Sequence, residues 1–382
     1  MRTIILAAVV ALILPDIYIS VMFIRGTLWR ILWWMPAAAA IAASVAFLGG
    51  YNPQWMIKLL FFLLLCVALP KLLFCLFSAV GHAAAAAPAL ASLRTAADAA
   101  GIALAAVTAA VFLYGFTFGW KHLAVRRTTL EFADLPAAFD GYRIVHFSDL
   151  HAGSFGDDTR FVRRLVERIN SLQPDAVVFT GDIINSTYEE LAPFGALLSQ
   201  IRARDGVYSV IGNHDYSEYH HWPTRNGAAR SLAEVMRAER SYGWNLLMNE
   251  NRIITRGDDS IAILGVENVG RPPFPSRGNL RQAVASLPDH IFKVLLSHDP
   301  THWRSEVLPQ SDIALMLAGH THAMQFRLWG FSPSAWTYDE WGGEYDEQGR
   351  KLFVSTGTGG TAPFRFGAWP RIDVLTLRRN RN

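Results

Sequence analysis

Over the first ~120 positions apolar residues run almost without interruption; beyond them the pattern breaks into short apolar runs alternating with amphipathic stretches. Crossing ~30 Å of hydrocarbon takes about 20 apolar residues. Four spans are predicted on that basis, at roughly 3 to 24, 31 to 50, 55 to 79 and 101 to 120. The first lacks a small-residue cleavage site and carries Pro15 and Asp16 mid-run, so it is expected to be retained. Lys58, Pro70 and Lys71 leave room for a tilted or re-entrant third helix. Lys71 is expected to snorkel and Asp16 to sit near a helix interface. The alanine-rich stretch from Gly81 to Ala100 reads as a loop or interfacial helix.

From about Thr128 the texture is that of a folded domain. "YRIVHFSDL", "PDAVVFTGD", "GVYSVIGNHD", "SIAILGVEN", "IFKVLLSHDP" and "IALMLAGHTH" read as strands, and "DDTRFVRRLVERINSL" has helical spacing. Strands alternating with helices predict an α/β layered domain. The chain therefore divides into a transmembrane helical region, 1–125, and an α/β domain, 128–382. An even number of spans puts both termini on one side, and the distribution of Lys and Arg leans toward a cytoplasmic domain. The expectation is a multi-pass protein of the cell (inner) membrane, with the bilayer as its first partner.

A net charge of +3 on 382 residues gives no basis for nucleic-acid binding. The two cysteines, Cys66 and Cys75, both fall in the third span and read as packing residues, not a disulfide framework or a thiolate metal site.

Chemistry is concentrated where the apolar runs stop. Asp149 and His151, Asp182, Asn213 with His214 and Asp215, His298, and His320 with His322 each follow a strand. Ligands of layered α/β folds gather beyond the carboxyl ends of strands. Carboxylate, carboxamide and imidazole form a nitrogen and oxygen donor set suited to divalent Mn, Fe, Zn or Ni. Asp149, His151, Asp182, Asn213, His298, His320 and His322 are too many donors for one ion and enough for two. The one-residue spacing in each of Asp149-x-His151 and His320-x-His322 puts both side chains on one side if the backbone stays extended, and Gly181, Gly212 and Gly319 each precede a donor, allowing close backbone approach.

"SDLH", "GDII", "GNHD", "SHDP" and "GHTH", in this order, resemble the five blocks of the calcineurin-like metallophosphoesterase family, in its membrane-anchored bacterial branch, over roughly residues 140 to 376. The resemblance implies a four-layered α/β/β/α sandwich holding two divalent metal ions. It implies that Asp149, His151 and His322 hold one ion, that Asn213, His298 and His320 hold the other, and that Asp182 bridges them. His214 would stabilise or protonate the leaving oxygen, with Asp215 as its orienting partner. The chain departs from its branch at "GHTHAMQ", where Ala323 and Met324 replace frequent glycines.

The implied activity is hydrolysis of a phosphodiester, pyrophosphate or phosphomonoester by a metal-activated water. Aromatic stretches at 216–222 and 326–341 follow two of the blocks, which suggests a phospholipid-like substrate. The rival readings are a tethered hydrolase of soluble nucleotides and a catalytically silent protein-binding scaffold. Thr356 to Pro363 reads as a strand-exit loop and not a phosphate loop, since no Lys-Ser/Thr follows its glycines. His146 is expected to be packed, His82 and His122 interfacial, His220, His221 and His302 in solvated loops, and His290 in a surface turn.

Overall fold

A computed structural model describes residues 2–49, 53–288 and 290–380, and within these the side chains of 2–11 and 48 lie outside the description. Parts of the first two expected spans, including position 50, fall outside the described residues. The chain forms two compact units, Met1–Phe118 and Gly119–Asn382.

The first unit is all helix: α1 (Arg2–Met22), α2 (Thr27–Leu48), α3 (Gln54–Phe62), α4 (Leu69–Ala84) and α5 (Leu93–Thr117). Three described segments, Thr27–Phe47, Gln54–Ala84 and Leu93–Lys121, are long and apolar enough to cross a membrane, and Leu12–Met22 is a shorter apolar helix. The chain is a membrane protein. Its third segment is one continuous helical stretch, Gln54–Ala84. Between α3 and α4 a π-helical turn, Leu63–Ala68, widens the helix so that the Leu69 N–H reaches the Leu64 carbonyl. Pro70 has no N–H and its ring crowds the preceding turn, and a π-bulge is one way a helix absorbs that conflict.

Lys71 does not snorkel. Its Nζ lies 2.7 Å from Asp16 Oδ1 and 4.2 Å over the Trp33 ring. Leaving for the interface would strand a carboxylate that is only 1% exposed, at a cost of several kcal/mol. α5 begins eight residues before the expected position 101 because Asp98 finds partners inside the bundle: Ser78 Oγ at 2.5 Å and His82 Nε2 at 3.2 Å.

Among the described residues the second unit contains twelve strands: β1 (Ala124–Phe132), β2 (Arg143–Phe147), β3 (Ala176–Phe179), β4 (Val207–Ser209), β5 (Asn245–Leu246), β6 (Glu250–Arg256), β7 (Asp259–Gly265), β8 (Phe292–Leu296), β9 (Leu315–Ala318), β10 (Gly343–Glu347), β11 (Arg350–Val354) and β12 (Arg371–Arg379). They form two six-stranded sheets, in the orders β1-β12-β2-β3-β4-β5 and β10-β11-β9-β8-β7-β6. Side-chain alternation sorts the layers. Ile144, Val178, Ile263, Val294 and Leu317 meet between the sheets. Val145, Phe147, Val177 and Phe179 face away from them, packing on Phe161, Val162 and Leu165 of α6 (Arg160–Ser171). That face also carries α7 (Gly195–Leu198) and α8 (Gly227–Ser241). On the outer face of the other sheet, Leu264, Leu295 and Met316 pack with Trp303 and Val307, between α9 (Leu280–Ala283) and α10 (Leu308–Gln310). This is the four-layered α/β/β/α sandwich. Each fully buried aliphatic or Phe side chain contributes about 1.5–3 kcal/mol, so the three clusters hold the strand ends rigid.

One buried carboxyl makes this unit sensitive to pH. α8 buries Gly227, Ser231, Val235 and Glu239 along one face, and Glu239 accepts a hydrogen bond from Ser209 Oγ at 2.5 Å while its other oxygen has no partner. Burial, then the charge of Asp215, holds this carboxyl well above the ordinary value of 4.5. The unfolded chain ionises above about 4.5 while the folded chain stays protonated, so this group's contribution to stability falls by about 1.4 kcal/mol per pH unit until the folded value is reached. Glu239→Gln removes that dependence. Thermal unfolding at pH 5, 6.5 and 8 should show the variant gaining on the parent as pH rises; a difference that stays constant would mean that Glu239 ionises normally.

Candidate metal centre

All the predicted donors lie just beyond the carboxyl ends of parallel strands: β2, β3 and β4 in one sheet, β8 and β9 in the other. Asp149, His151, Asp182 and His322 each place a donor atom within 4.8 Å of the others, and Asp182, His298 and His320 do the same. Asp182 belongs to both groups. Its Oδ2 lies 3.6 Å from His151 Nε2 and 3.2 Å from His298 Nε2. His322 Nε2 is 3.4 Å from Asp149 Oδ1, His320 Nδ1 is 3.2 Å from His298 Nε2, and Asn213 Oδ1 joins the second group at 3.1 Å from His298 Nε2.

The backbone here is bent, so the extended chain on which the spacing argument was conditional is not present. Asp149, His151, Asp182, His320 and His322 have φ of 52°, 48°, 60°, 72° and 52°, all in the left-handed region. The strands end at Phe147, Phe179 and Ala318, and left-handed bends after them aim successive donors into one space. Such conformations are uncommon outside glycine, cost of order 1 kcal/mol or more each, and cluster where function requires them. The glycines act as expected: a Cβ on Gly212 would overlap the Asp182 carboxylate, and one on Gly319 would overlap Ser148 and Asp149. Ala323 and Met324 adopt φ of 50° and 44°, a left-handed conformation that glycine enters at no steric cost.

The electrostatics favour cation binding. Burial first, with neighbouring imidazoles contributing, pushes His151 down to about 3 and His322 well below its ordinary value. Burial takes His320 down to about 4 against the pull of Asp299. Their lone pairs are therefore available at neutral pH. Burial alone would raise Asp182, but His298 and His214 hold it well below the usual carboxylate range. Burial would lower His298, and Asp182 with Asp149 instead pushes it up to about 10. Three neutral imidazoles and a buried, ionised carboxylate shared by two donor groups fit divalent cations.

His214 stands at the edge of the cluster, half-buried, its N–H donating to Asp182 Oδ1 at 2.8 Å. Its ring partner is not Asp215. His214 Nδ1 lies 2.6 Å from the Asn185 carbonyl, which as an acceptor requires the proton on Nδ1 and leaves the other ring nitrogen, Nε2, uncommitted by that bond. Asp215 is fully buried and accepts the backbone N–H groups of Asp182, Ile183, Ile184 and Gly212 at 2.8–3.3 Å. It fixes the loop that presents Asp182, which explains an acid next to His214 without any contact between their side chains.

Asn185 and Arg365 were not visible in the sequence, whereas Tyr219 and Tyr338 lie in the aromatic stretches at 216–222 and 326–341 and the Thr356 to Pro363 loop was read as a strand exit. Asn185 orients His214, and Arg365, 1% exposed, lies 3.3 Å from His322 Nδ1 and bonds the Gly359 carbonyl. Tyr338 reaches His320 Nε2 at 2.9 Å, and Tyr219 reaches Asn213 at 3.0 Å. The Thr356 to Pro363 loop clamps the first motif: Thr358 and Gly359 donate to the Ser148 and Asp149 carbonyls at 2.8 and 2.7 Å, and a Cβ on Gly359 would overlap the Leu150 carbonyl. Asp299, 3.6 Å from His320, did have a signal, since it follows His298 directly. His302 is buried between Ser297 and Glu306, each at 2.9 Å, and not in a solvated loop. His146 is packed as expected, 2.9 Å from Thr180.

A two-sheet sandwich with imidazoles and carboxylates gathered at its strand ends is the architecture of a metal-dependent phosphoesterase. The calcineurin-like phosphoesterase profile matches residues 142–324. An uncharacterised metallophosphoesterase of Bacillus subtilis, YkuE, is 30% identical over 263 residues, 65% of this chain and 84% of that protein. The chain belongs to the calcineurin-like phosphoesterase family and is a metal-dependent phosphoesterase. A zebrafish (Danio rerio) transmembrane protein with a metallophosphoesterase domain is 28% identical over 230 residues, 57% of this chain and 49% of that one, so the chain spans about half its length. A Chlamydia trachomatis protein named UDP-2,3-diacylglucosamine pyrophosphatase LpxG is 26% identical over 296 residues, 63% of this chain and 86% of its own.

Proposed function

We propose that this chain is a membrane-anchored phosphohydrolase, its helical region (1–125) tethering a catalytic domain (128–382) that uses two divalent cations to cleave a lipid-linked phosphoester or pyrophosphate at the cytoplasmic face of the cell membrane. The observation that carries the reading is Asp182, one carboxylate common to two donor groups. Asp149, His151 and His322 would hold one ion and Asn213, His298 and His320 the other, with Asp182 available to both groups. Cations bound there would supply Lewis acidity, activating a water and neutralising charge on the phosphoryl oxygens.

The remaining work falls to the chain's own groups. His214, with Nδ1–H fixed on the Asn185 carbonyl, turns Nε2 toward the leaving oxygen and donates from it when both ring nitrogens carry a proton, returning to the neutral Nδ1–H ring. Asp215 positions it indirectly, by holding the Asp182–Ile184 loop from which Asp182 binds the His214 N–H. Support for a lipid-linked substrate comes from the exposed aromatic side chains that follow the His214 and His322 motifs and from the chlamydial relative, which is named a UDP-2,3-diacylglucosamine pyrophosphatase.

The test is the full-length protein in lipid nanodiscs with Mn, offered UDP-2,3-diacylglucosamine and its deacylated counterpart. Apolar contact contributes about 0.8 kcal/mol per buried methylene, so a preference of at least roughly tenfold in kcat/KM for the acylated substrate is expected. Equal rates would leave a tethered hydrolase of soluble nucleotides. Metal binding without hydrolysis of either substrate or of a p-nitrophenyl phosphodiester would leave a silent scaffold.

A further inference from the structure

The stretch after His322 builds a protrusion that the metal chemistry does not need. Leu328 and Phe331 exchange both backbone hydrogen bonds at 2.9 Å, and the two residues between them, Trp329 and Gly330, have φ of 48° and 86°. This is a two-residue hairpin turn with both central residues left-handed, a conformation that usually recruits Asn or Gly at its first position. Tryptophan occupies it here, strained and 96% exposed. Trp336 is 79% exposed beside it, its ring 5.4 Å from Phe331, and Phe331 and Leu328 are exposed as well. Large apolar side chains concentrated at one exposed tip have no packing role in the folded unit and mark an interaction surface.

The root of the hairpin is rigid. Arg327 N donates to the Phe366 carbonyl at 2.8 Å, and Phe366 N donates to Gln325 at 3.0 Å. Aromatic rings then connect the root to the start of the domain: Phe326 stacks on Phe366 at 5.7 Å, Phe366 meets Trp369 at 5.8 Å, and Trp369 meets His122 at 5.4 Å. His122 follows shortly after the last membrane-length helical segment, which ends at Lys121. The hairpin is thus joined, within one compact unit, to the residues where the chain leaves the bilayer. Its charge suits a lipid surface, for positions 323–336 carry Arg327 and no acid, and Arg126 lies within electrostatic reach of Arg327. Tryptophan at the apolar–polar boundary of a bilayer is favoured, and nearby Arg adds attraction to anionic headgroups.

We propose that the 326–336 hairpin is a membrane-docking element whose Trp329 and Trp336 enter the interfacial layer of an anionic bilayer, setting the mouth of the metal centre against the lipid headgroups. It rests on the membrane-surface reading of the substrate for its purpose, and on the exposure, the rigid root and the juxtamembrane connection for its evidence. Docking replaces diffusion of a lipid-linked phosphoester out of the bilayer with presentation of its headgroup at the site.

The test uses the full chain with Cys66→Ala and Cys75→Ala, carrying either Trp329→Cys or the control Asp258→Cys, labelled with an environment-sensitive fluorophore and reconstituted in phosphatidylcholine–phosphatidylglycerol vesicles. The label at 329 should shift to the blue and be quenched by doxyl lipids, and the label at 258 should not. A label at 329 that escapes quenching overturns the proposal, whether its emission is water-like, as for a solvent loop, or blue-shifted, as for contact with a second protein copy. Trp329→Ser/Trp336→Ser should raise KM for a vesicle-borne lipid-linked substrate by about tenfold or more while leaving hydrolysis of a soluble p-nitrophenyl phosphodiester unchanged; an unchanged KM overturns docking. The two readings separate cleanly. A quenched label in an enzyme that cleaves no lipid-linked phosphoester sustains docking and removes the substrate, and lipid hydrolysis with an unquenched label does the reverse.

Discussion

Asp182→Asn is expected to lower the activity of the full-length enzyme by about a thousandfold or more and to reduce its metal content from the proposed two ions per chain to one or fewer. The substitution is nearly isosteric, and asparagine is among the residues that tolerate the left-handed backbone at this position, φ 60°, so the fold should survive. What it removes is charge. Asp182 Oδ2 faces His298 at 3.2 Å and His151 at 3.6 Å, and Asp182 is the one acid that both donor groups contain. Without it neither proposed ion keeps its full donor set, and the compensation that sustains a buried cation is lost; breaking a buried charge pair costs about 3–5 kcal/mol, and 4 kcal/mol corresponds to roughly a thousandfold in rate. Metal analysis and turnover on a p-nitrophenyl phosphodiester are read on the same sample, with circular dichroism confirming the fold. Two retained ions and activity within tenfold of the parent would remove Asp182 from its shared position.

How much of this was legible in the sequence depended on whether a residue's partner lay near it in the chain. The donors announced themselves because each follows an apolar run that can only be a buried strand, and a charge at that point has no packing explanation. The sandwich was legible for the same reason in β2, β3, β4, β7, β8 and β9. β1 and β12 were not: they pair with each other in parallel register from Ala124↔Arg371 to Phe132↔Arg379, and Arg126, Arg127, Arg371 and Asp373 interrupt the apolar pattern that would have revealed them. Arg371 Nε lies 2.7 Å from Asp373 Oδ1, so charges that looked exposed are internal. Asn185 and Arg365 were invisible because what they do, holding His214 and His322, depends on contacts 29 and 43 residues away in sequence. Lys71 was misread for a related reason: snorkelling is the rule for an isolated lysine, and its partner Asp16 is 55 positions distant.

His214→Ala tests a different link in the proposal, the step from a metal centre to a hydrolase that also manages protons. Among the described residues no hydrogen bond joins the His214 ring to another donor of the cluster; the ring packs edge-on against His151 at 4.8 Å and meets Tyr219 at 4.7 Å, while Nδ1 is committed to the Asn185 carbonyl. Alanine should therefore leave both ions in place. The His214 backbone N–H, which binds Asp182 Oδ1, is retained too. A positioned proton donor typically contributes 10²–10⁴-fold, so a loss of about a thousandfold in kcat is expected on substrates with alkoxide leaving groups. For p-nitrophenolate, which departs without protonation, the loss should shrink to roughly tenfold. That contrast separates proton donation from structure, because a variant that merely loosened the site would slow both substrates alike. Substituting Asn185 cannot make the same distinction, since the bond to His214 comes from its backbone carbonyl. An equal loss on both leaving groups, with metal retained, would mean that His214 stabilises charge on the phosphoryl group without supplying the proton; loss of one metal would make it a ligand.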